Sequence, residues 1–378
     1  MKRREFLKHL TVIGGSLVFG CRTSGSIGVP EEDAFSFFAL GDIHFDRLKD
    51  HDVAYVREHF KGNMRQIEHY CRVTRENSPF LLNAMKARIA STKAPVSHVL
   101  QLGDFTQGLC GNEALATQQL GDFVKWAEGF DFGVPFVVTK GNHDITGPGG
   151  RDAYRQTVLP WVSKVLGQPI EKDRYFFRHR NCLFISWWHH TPGALEWLLK
   201  TLEQEAPKSE HVFLLSHYPI IPNSARAHWA VYLQGGRTDA MSQKVIEACG
   251  KYGVIVLSGH LHKYSVLSRK TQSGGFVQLA LCSVMGERAN KIRHELTTKD
   301  YGQKLIDTEP RFHPASLERR RELLKSERPH IGFFEYADAT GFGRITVKGS
   351  KVLFEVFSGP KLELYRTHDV SKLLDGVR

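Results

Sequence analysis

The stretch Phe35-Ser36-Phe37-Phe38-Ala39-Leu40-Gly41-Asp42-Ile43-His44 decides the fold class. Its first six residues are apolar except for one serine, which predicts a buried β-strand over Phe35–Leu40. A glycine then lets the chain turn sharply as it leaves the strand. Asp42 and His44 follow, and on an extended segment residues two apart face the same side. These two side chains can therefore converge on one metal ion.

The same unit, a short apolar run that ends in polar residues, returns four times along the chain. Amphipathic stretches separate the runs, and this alternation is typical of an α/β domain. The further predicted strands are His98–Leu102, Pro135–Thr139, Val212–Ser216 and Val254–Ser258. The predicted helices include Glu113–Glu128, Arg151–Val165, Ala194–Glu205 and Met241–Tyr252.

Each of these four strands runs into side chains that can bind metal. Because ligands bind outside the carboxyl ends of the strands in open α/β sheets, we expect all five clusters to meet at one sheet edge. One such cluster alone is commonly a loop or capping residue, but five at one edge indicate a site. The four later clusters are Gly103-Asp104, Gly141-Asn142-His143-Asp144, His217 and Gly259-His260-Leu261-His262.

The clusters offer imidazole nitrogens, carboxylate oxygens and one amide oxygen, but no sulfur. This donor set suits Mn, Fe or Zn rather than Cu(I) or an iron–sulfur centre. Seven donors are too many for one tetrahedral zinc, and they fit two ions about 3.5–4 Å apart with one bridging carboxylate. The seven are Asp42, His44, Asp104, Asn142, His217, His260 and His262.

The ordered motifs D-x-H, G-D, G-N-H-D, a lone His and G-H-x-H resemble those of the calcineurin-like metallophosphoesterases, over roughly residues 35 to 265. The resemblance implies that Asp42, His44 and His262 hold one metal ion. It implies that Asn142, His217 and His260 hold the second, and that Asp104 bridges the two. His143 would be the catalytic histidine that binds no metal, and Asp144 would orient it.

The resemblance also implies a reaction. Two cations would generate a hydroxide from bound water for attack on phosphorus, while His143 assists the leaving group. Diesters are slightly favoured over monoesters as substrates, by similarity to small bacterial phosphodiesterases of this family. Purple acid phosphatases carry a tyrosine ligand three residues after the bridging aspartate. Gln107 occupies that position here, so a coloured ferric–tyrosinate site is not expected.

The family fold is two facing mixed β-sheets flanked by helices, a four-layer sandwich. We expect a single domain over residues 34–360, with insertions at about 45–95 and 287–328, and a C-terminal tail over 361–378. The strands predicted for the second sheet are Tyr264–Ser268, Phe276–Cys282, Ile331–Tyr336, Gly343–Val347 and Val352–Phe357.

Four residues outside the motifs are candidates for substrate contact. His189 and His190 end an apolar run that can reach the same edge, although ordinary loop or packing roles would also explain them. Arg226 and Arg237 follow the fourth motif, where a cation could bind phosphate. In the second insertion, the triplet Arg319-Arg320-Arg321 is typical of a solvated helix face, with contact to an anionic substrate or lipid as the alternative.

The N-terminus is typical of an export signal. Lys2-Arg3-Arg4-Glu5-Phe6-Leu7-Lys8 precedes a short apolar run, and its paired arginines resemble a bacterial twin-arginine signal. Cys21 closes the run and is a candidate lipidation site that would tether the protein to a membrane; the alternative is cleavage near Ser24-Gly25-Ser26. We therefore expect a signal over residues 1–20 and a location in the bacterial periplasm or at the cell surface.

Composition narrows the remaining alternatives. The 378 residues carry a net charge of +11, nineteen histidines and six cysteines. The hypothesis of a nucleic-acid-binding protein has only the positive charge to support it, because no recognised nucleic-acid module is present. A metal-containing surface lipoprotein that acts as a binding module stays open as the alternative to an enzyme. The sequence does not indicate the oligomeric state.

Overall fold

The computed structural model describes residues 34–233, 239–288, 290–311 and 316–378. Two mixed β-sheets flanked by helices make up this part of the chain, which confirms the expected fold class. The strands of the six-stranded sheet are β1 (Phe35–Leu40), β2 (Val96–Gln101), β3 (Phe136–Val138), β12 (Gly341–Lys348), β13 (Lys351–Ser358) and β14 (Glu363–Asp369). Those of the eight-stranded sheet are β4 (Tyr175–His179), β5 (Cys182–Ser186), β6 (His211–Leu215), β7 (Ile255–Ser258), β8 (Tyr264–Thr271), β9 (Gly274–Ala280), β10 (Arg293–Thr297) and β11 (Ile331–Asp338).

Parallel strands occupy the part of each sheet that leads to the motifs. In the six-stranded sheet, of order β14-β13-β12-β1-β2-β3, strands β1, β2 and β3 are parallel, and at their carboxyl ends Leu40 lies opposite Gln101 and Gln101 opposite Val138. In the eight-stranded sheet, of order β10-β11-β8-β9-β7-β6-β5-β4, strands β5, β6 and β7 align so that Leu215 lies beside Ser186 and Leu257. The carboxyl ends of the strands in each set are therefore level with one another.

Aromatic side chains join the two sheets. Phe37 of β1 is fully buried, and its ring meets Phe184 of β5 and Phe213 of β6 edge to face, with centroids 5.2 and 5.1 Å apart. Such pairs stabilise a core beyond the area that they bury. Closer to the motifs, Thr139 Oγ1 and Ser186 Oγ lie 2.6 Å apart and are hydrogen-bonded. The two sheets are thus fixed face to face up to the ends of their strands.

Helices cover the outer faces. The helices α3, α4 and α5 share one apolar cluster with strands of both sheets, and α6, α7 and α9 contribute to a second cluster with strands of the eight-stranded sheet. The helices are α1 (Val53–His59), α2 (Met64–Glu76), α3 (Ser78–Ser91), α4 (Glu113–Gly129), α5 (Gly150–Leu166), α6 (Ala194–Glu205), α7 (Asp239–Lys251), α8 (Gln303–Asp307), α9 (Leu317–Glu327) and α10 (Val370–Asp375).

Two expectations about the sheets were wrong. The five motif strands do not share one sheet: β1, β2 and β3 belong to the six-stranded sheet, whereas β6 and β7 belong to the eight-stranded one. The C-terminal strands form no separate second sheet either, because β12 and β13 extend the first and β8, β9 and β11 extend the second. Strand pairing joins residues distant in sequence, and periodicity alone carries no information about the partner.

The segment 361–378, expected to be a tail, is part of the fold. Its strand β14 pairs antiparallel with β13 at the edge of the six-stranded sheet, and α10 follows directly. Its His368 is largely buried and lies with Nε2 2.6 Å from the hydroxyl of Tyr264 in β8 of the other sheet. The charged composition of the segment reflects an edge strand rather than a tail.

The second insertion holds a buried arginine where a solvated face was expected. Arg320 of α9 is 1% exposed and donates hydrogen bonds to the main-chain oxygens of Ala225, Glu309 and Pro310. A planar guanidinium can satisfy several carbonyls at once, so this residue secures the insertion to the loop after β6.

Neither disulfide bonds nor membrane-spanning helices occur among the described residues. Cys71, Cys110, Cys182, Cys249 and Cys282 are all free thiols. None of the described helices is long and apolar enough to cross a membrane. Residues 1–33, which include the predicted export signal and Cys21, lie outside the described residues.

Candidate metal centre

The ends of strands from both sheets bring together the six predicted histidine and aspartate donors. Asp42, His44 and His262 form one group, and Asp104, His217 and His260 form the other. A third combination, His44, Asp104 and His143, overlaps both groups. Within each group the potential ligand atoms lie within 4.8 Å of one another. A site between two sheets, rather than at one sheet edge, is what places these residues together.

The first group has short distances between its potential ligand atoms. His44 Nε2 lies 3.0 Å from His262 Nε2, and His262 Nε2 lies 3.5 Å from Asp42 Oδ1. Asp42 is fully buried, and its carboxylate also accepts a hydrogen bond from the main-chain N–H of His260. That hydrogen bond joins the end of β1 to the end of β7.

The second group centres on Asp104. Its Oδ2 lies 3.1 Å from His217 Nε2, and His217 Nε2 lies 3.2 Å from His260 Nδ1. The same carboxylate oxygen lies 3.9 Å from His44 Nε2 of the first group. Asp104 therefore lies between the two groups, where a carboxylate can serve both.

Oδ1 of Asn142 is a buried polar atom without a hydrogen-bond partner among the described residues. Since buried polar atoms are nearly always paired, this orphaned oxygen calls for an explanation, and coordination to an ion is one. Two nitrogen and oxygen donor groups, a shared carboxylate and this orphaned amide oxygen fit a pair of transition-metal ions.

Backbone strain coincides with the donors. His44, Asp104, His260 and His262 all have positive φ, between 49° and 69°, which is uncommon for residues other than glycine. Strained conformations of this kind persist where the surrounding structure holds them, and they cluster at functional sites.

The glycine in two motifs is required by close approach. A Cβ on Gly103 would lie 2.5 Å from His217 Nδ1, and one on Gly141 would lie 2.1 Å from the main-chain nitrogen of Asp104. Any larger residue at either position would displace a donor side chain or its backbone.

Hydrogen bonds away from the centre fix the histidine rings. His217 Nδ1 donates to the main-chain oxygen of Leu102 over 2.8 Å, and His44 Nδ1 donates to Gln107 Oε1 over 2.9 Å. With Nδ1 protonated in this way, Nε2 of each ring is left to bind metal. Such outer contacts raise the basicity of histidine ligands and hold their orientation.

Burial and the shared Asp104 carboxylate shift the pKa values of the histidine rings. Burial lowers the pKa of His44 and of His260 well below the usual value, so both rings are neutral and able to bind metal. Burial also opposes a charge on His217, but the Asp104 carboxylate outweighs it and raises the pKa of His217 to about 9. The Asp104–His217 pair thus carries a proton that a cation would replace.

His143 lies at this centre, but Asp144 does not orient it. His143 Nδ1 donates to the main-chain oxygen of Gln107 over 3.0 Å, and its main-chain N–H donates to Asp104 Oδ1 over 2.7 Å. The buried Asp144 carboxylate instead accepts main-chain hydrogen bonds from Asp104, Thr106 and Gly141. Asp144 therefore holds together the loops that carry Asp104 and Asn142, a role that its position beside His143 in the sequence did not reveal.

A comparison with protein-family sequence models matches the calcineurin-like phosphoesterase family over residues 35–264. This chain belongs to the calcineurin-like phosphoesterase family. The matched range covers both donor groups and agrees with the resemblance of the motifs. Membership indicates a metal-dependent phosphoesterase that acts on a phosphate ester, and together with the clustered residues it indicates a dinuclear metal site.

A search of solved structures found chains similar to this phosphoesterase. A structure of PhoD is 12% identical, with a TM-score of 0.50 over 89% of this chain and 68% of that one. A dimetal phosphatase from Danio rerio is 14% identical, with a TM-score of 0.49 over 89% and 99% of the two chains. GAP50, the anchor in the inner membrane complex of Plasmodium, is 12% identical, with a TM-score of 0.49 over 91% and 95%. A search of curated protein sequences found no significant match.

Three of the four substrate-contact candidates of this phosphoesterase lie among the described residues. His190 lines a cleft that also includes Asn142, whereas His189 is buried among the rings of Trp187, Tyr218 and Tyr232. Arg226 forms a two-point ion pair with Glu309, through Nε at 2.8 Å and Nη2 at 3.1 Å. Arg237 lies outside the described residues.

Aromatic residues of the phosphoesterase site were missed by sequence analysis. Tyr70 of α2, in the first insertion, stacks on His44 with ring centroids 4.2 Å apart and planes 4° apart. His260 lies between the rings of Tyr218 and Trp229, at centroid distances of 3.8 and 4.9 Å. Tyr218 directly follows His217 and could have been noticed, but nothing in the sequence links Tyr70 or Trp229 to the site.

Proposed function

We propose that this chain hydrolyses phosphate esters at a dinuclear metal centre. Asp42, His44 and His262 would hold one ion, Asn142, His217 and His260 the second, and Asp104 both. The observation that carries the proposal is the position of Asp104, whose carboxylate lies 3.1 Å from His217 Nε2 and 3.9 Å from His44 Nε2. When bound, the two cations supply a water of lowered pKa and neutralise the phosphoryl oxygens.

The side chains of the protein would position the substrate and supply a proton to the leaving oxygen. In hydrolysis the water oxygen bonds to phosphorus, the bond to the leaving oxygen breaks, and that oxygen needs a proton. His143 Nδ1 is occupied by the Gln107 carbonyl, which can only accept, so Nδ1 is protonated and Nε2 is the nitrogen that can donate. A ring that carries both protons can release the one on Nε2 to the leaving oxygen and stay hydrogen-bonded to Gln107.

The ester class is a finer proposal. Diesters are slightly favoured over monoesters, by the similarity to small bacterial phosphodiesterases of the family. Metal identity is likewise proposed only as Mn, Fe or Zn, because the donors are nitrogen and oxygen and no cysteine is among them.

A substrate panel tests the function. The protein is incubated with Mn, Zn or Fe and with an aryl monoester, an aryl diester, a cyclic nucleotide, a nucleotide pyrophosphate and DNA. We expect metal-dependent hydrolysis of at least one ester and its loss in Asp104→Asn, a nearly isosteric change that removes the shared charge. Absence of metal-dependent hydrolysis of every member would favour a non-enzymatic binding module instead.

We also propose that the protein is exported as a folded, metal-loaded chain to the periplasm or the cell surface. The support is the sequence Lys2-Arg3-Arg4-Glu5-Phe6-Leu7-Lys8, which resembles a twin-arginine signal, and Cys21 as a candidate lipid tether. These residues lie outside the described part of the chain, so the proposal rests on sequence alone.

A further inference from the structure

A large cleft opens beside the metal centre. Its volume is about 1140 Å³, and Asn142, a proposed metal ligand, lies in its wall together with Thr146 and His190. The cleft extends from there between the start of α5, the loop before β4 and the loop after β5. A substrate whose phosphate lies at Asn142 would therefore place its remaining part in this cleft.

The wall of the cleft is basic. Five cationic side chains face three carboxylates there, and the carboxylates are Asp152, Glu171 and Asp173. Asp152 is paired with Arg155, and Asp173 is paired with Lys140, with Lys140 Nζ 2.7 Å from Asp173 Oδ2. Two of the three carboxylates are thus already neutralised within the wall.

The remaining cations of the wall have no acidic partner. The side chains of Arg151 and Lys172 are exposed and form no ion pair or hydrogen bond with any described residue. Arg174 donates to the main-chain oxygen of Pro192 through Nη1, but its Nε is buried without a partner among the described residues. Three cations are therefore available against one unpaired carboxylate, that of Glu171.

A buried lysine holds the wall of the cleft in position. The side chain of Lys140 is only 10% exposed, and its ammonium lies 5.2 Å from the ring centre of Tyr154 and 5.5 Å from that of Trp188. Thr191 Oγ1 also donates to Asp173 Oδ2 over 2.8 Å. Because these contacts tie together the end of β3, α5 and the loops on both sides of the cleft, the basic wall keeps its position relative to Asn142.

We propose that this cleft binds a second phosphate group of the substrate. The substrate would be a small organic compound with two phosphoryl groups, one hydrolysed at the metal centre and one held by Arg151, Lys172 and Arg174. Guanidinium and ammonium groups are the side chains that recognise phosphate, and an uncompensated positive wall next to the scissile site selects for an additional negative charge. This inference rests on the proposed function, because it takes the scissile phosphate to lie at Asn142.

Matched pairs of substrates test the proposal. One pair is a nucleoside 5′-monophosphate and the 3′,5′-bisphosphate of the same nucleoside; the other is a nucleoside 2′,3′-cyclic phosphate without and with a 5′-phosphate. A nucleoside 5′-diphosphate forms a separate arm that distinguishes an anhydride from two separate phosphate esters. We expect kcat/KM to be higher for the member with the second phosphate, in the ester class that the protein hydrolyses.

Removal of the cations should erase that preference. In the double variant Arg151→Ala/Lys172→Ala, the ratio of kcat/KM between the two members should fall about tenfold, the effect of lost charge-assisted hydrogen bonds. Lys200→Ala removes an exposed cation of α6 that does not line the cleft, and it should leave the ratio unchanged. Both mutated side chains of the double variant are exposed, so its melting temperature should match that of the wild type.

Binding measurements separate this proposal from the proposed function. Titration calorimetry with the same bisphosphate on Asp104→Asn should give binding that weakens when Arg151 and Lys172 are also replaced. Turnover without any preference for the second phosphate would overturn the cleft proposal and leave the phosphoesterase function intact. Absence of turnover together with cation-dependent binding would overturn the function and leave the cleft as an anion site.

Discussion

The main-chain oxygen of Gln107 accepts a hydrogen bond from Nδ1 of His143 over 3.0 Å. The side chain of the same residue accepts one from Nδ1 of His44 over 2.9 Å. A single buried residue therefore fixes the tautomer of a proposed metal ligand and of the proposed general acid. Sequence analysis used this position only to exclude a tyrosine ligand, and its positive role emerged from the structure.

The variant His143→Ala should keep its metal and its fold but lose most of its turnover. The ring packs edge to face on His44, with centroids 4.8 Å apart, but it is not one of the proposed metal ligands, so its removal takes away the proposed proton donor. We expect kcat to fall about 10²–10⁴-fold, as for the loss of a general acid. Metal content by mass spectrometry and melting temperature serve as controls. Wild-type turnover in a metal-replete variant would remove His143 from the mechanism.

The variant Gln107→Ala should bind metal more weakly. Its loss leaves Nδ1 of His44 without an acceptor, and removal of such an outer partner typically costs 10–100-fold in metal affinity. The main-chain hydrogen bond to His143 remains, so turnover at saturating metal should change far less than it does in His143→Ala. The check is a metal titration followed by assays at saturating metal. Unchanged affinity would show that the Gln107 side chain does not support the site.

A buried histidine outside the site should make stability depend on pH. His98 of β2 lies among the rings of Phe37, Phe177 and Phe184, and burial lowers its pKa to about 3. Below the unfolded-state pKa of about 6.5, the unfolded chain gains a proton at this position that the folded chain refuses. Stability should therefore fall as the pH drops from about 6.5 towards 3, by up to about 1.4 kcal/mol per pH unit from this group.

The variant His98→Phe isolates that contribution, since other histidines also titrate in the same range. Denaturant unfolding of both proteins between pH 4 and 7 should give a difference in free energy that grows in favour of the variant as the pH falls. A constant difference across that range would mean that folding does not lower the pKa of His98.

The paired variant Arg3→Lys and Arg4→Lys should leave the protein inside the cell. Lysines preserve the charge, so a signal that needs only a basic head would still work, whereas the twin-arginine route reads the guanidinium pair. Cell fractionation measures the outcome, and the wild-type signal is the control. Unimpaired export of the variant would contradict the twin-arginine assignment.

The elements that local pattern governs were predicted closely. The strand β1 and the helix α6 have the bounds expected from the sequence, Phe35–Leu40 and Ala194–Glu205. Both are decided by hydrophobic periodicity and by turn residues at their ends, which act over a few residues. The motif donors could be recognised for a similar reason, because each lies at a strand end directly after its apolar run.

Contacts between distant segments were not predictable in this way. Tyr70 reaches His44 from an insertion, and Arg320 reaches Ala225 across 95 residues. The segment of strand β14 was expected to be a tail because its residues are largely charged and polar. An edge strand pairs on one side only, here with β13, and tolerates such residues. Each of these contacts depends on which surfaces pack together, and the pattern of a single sequence does not indicate that packing.

The sequence by itself determined which donor atoms this protein offers to metal. They are seven nitrogen and oxygen donors in a fixed order, each in the loop that follows a strand, and no sulfur is among them. The tertiary structure decided the geometry. It placed three motif strands in one sheet and two in the other, so that Asp104 meets His217 across the interface between sheets. Donor type is a property of each residue, whereas convergence depends on packing between chain segments far apart in sequence.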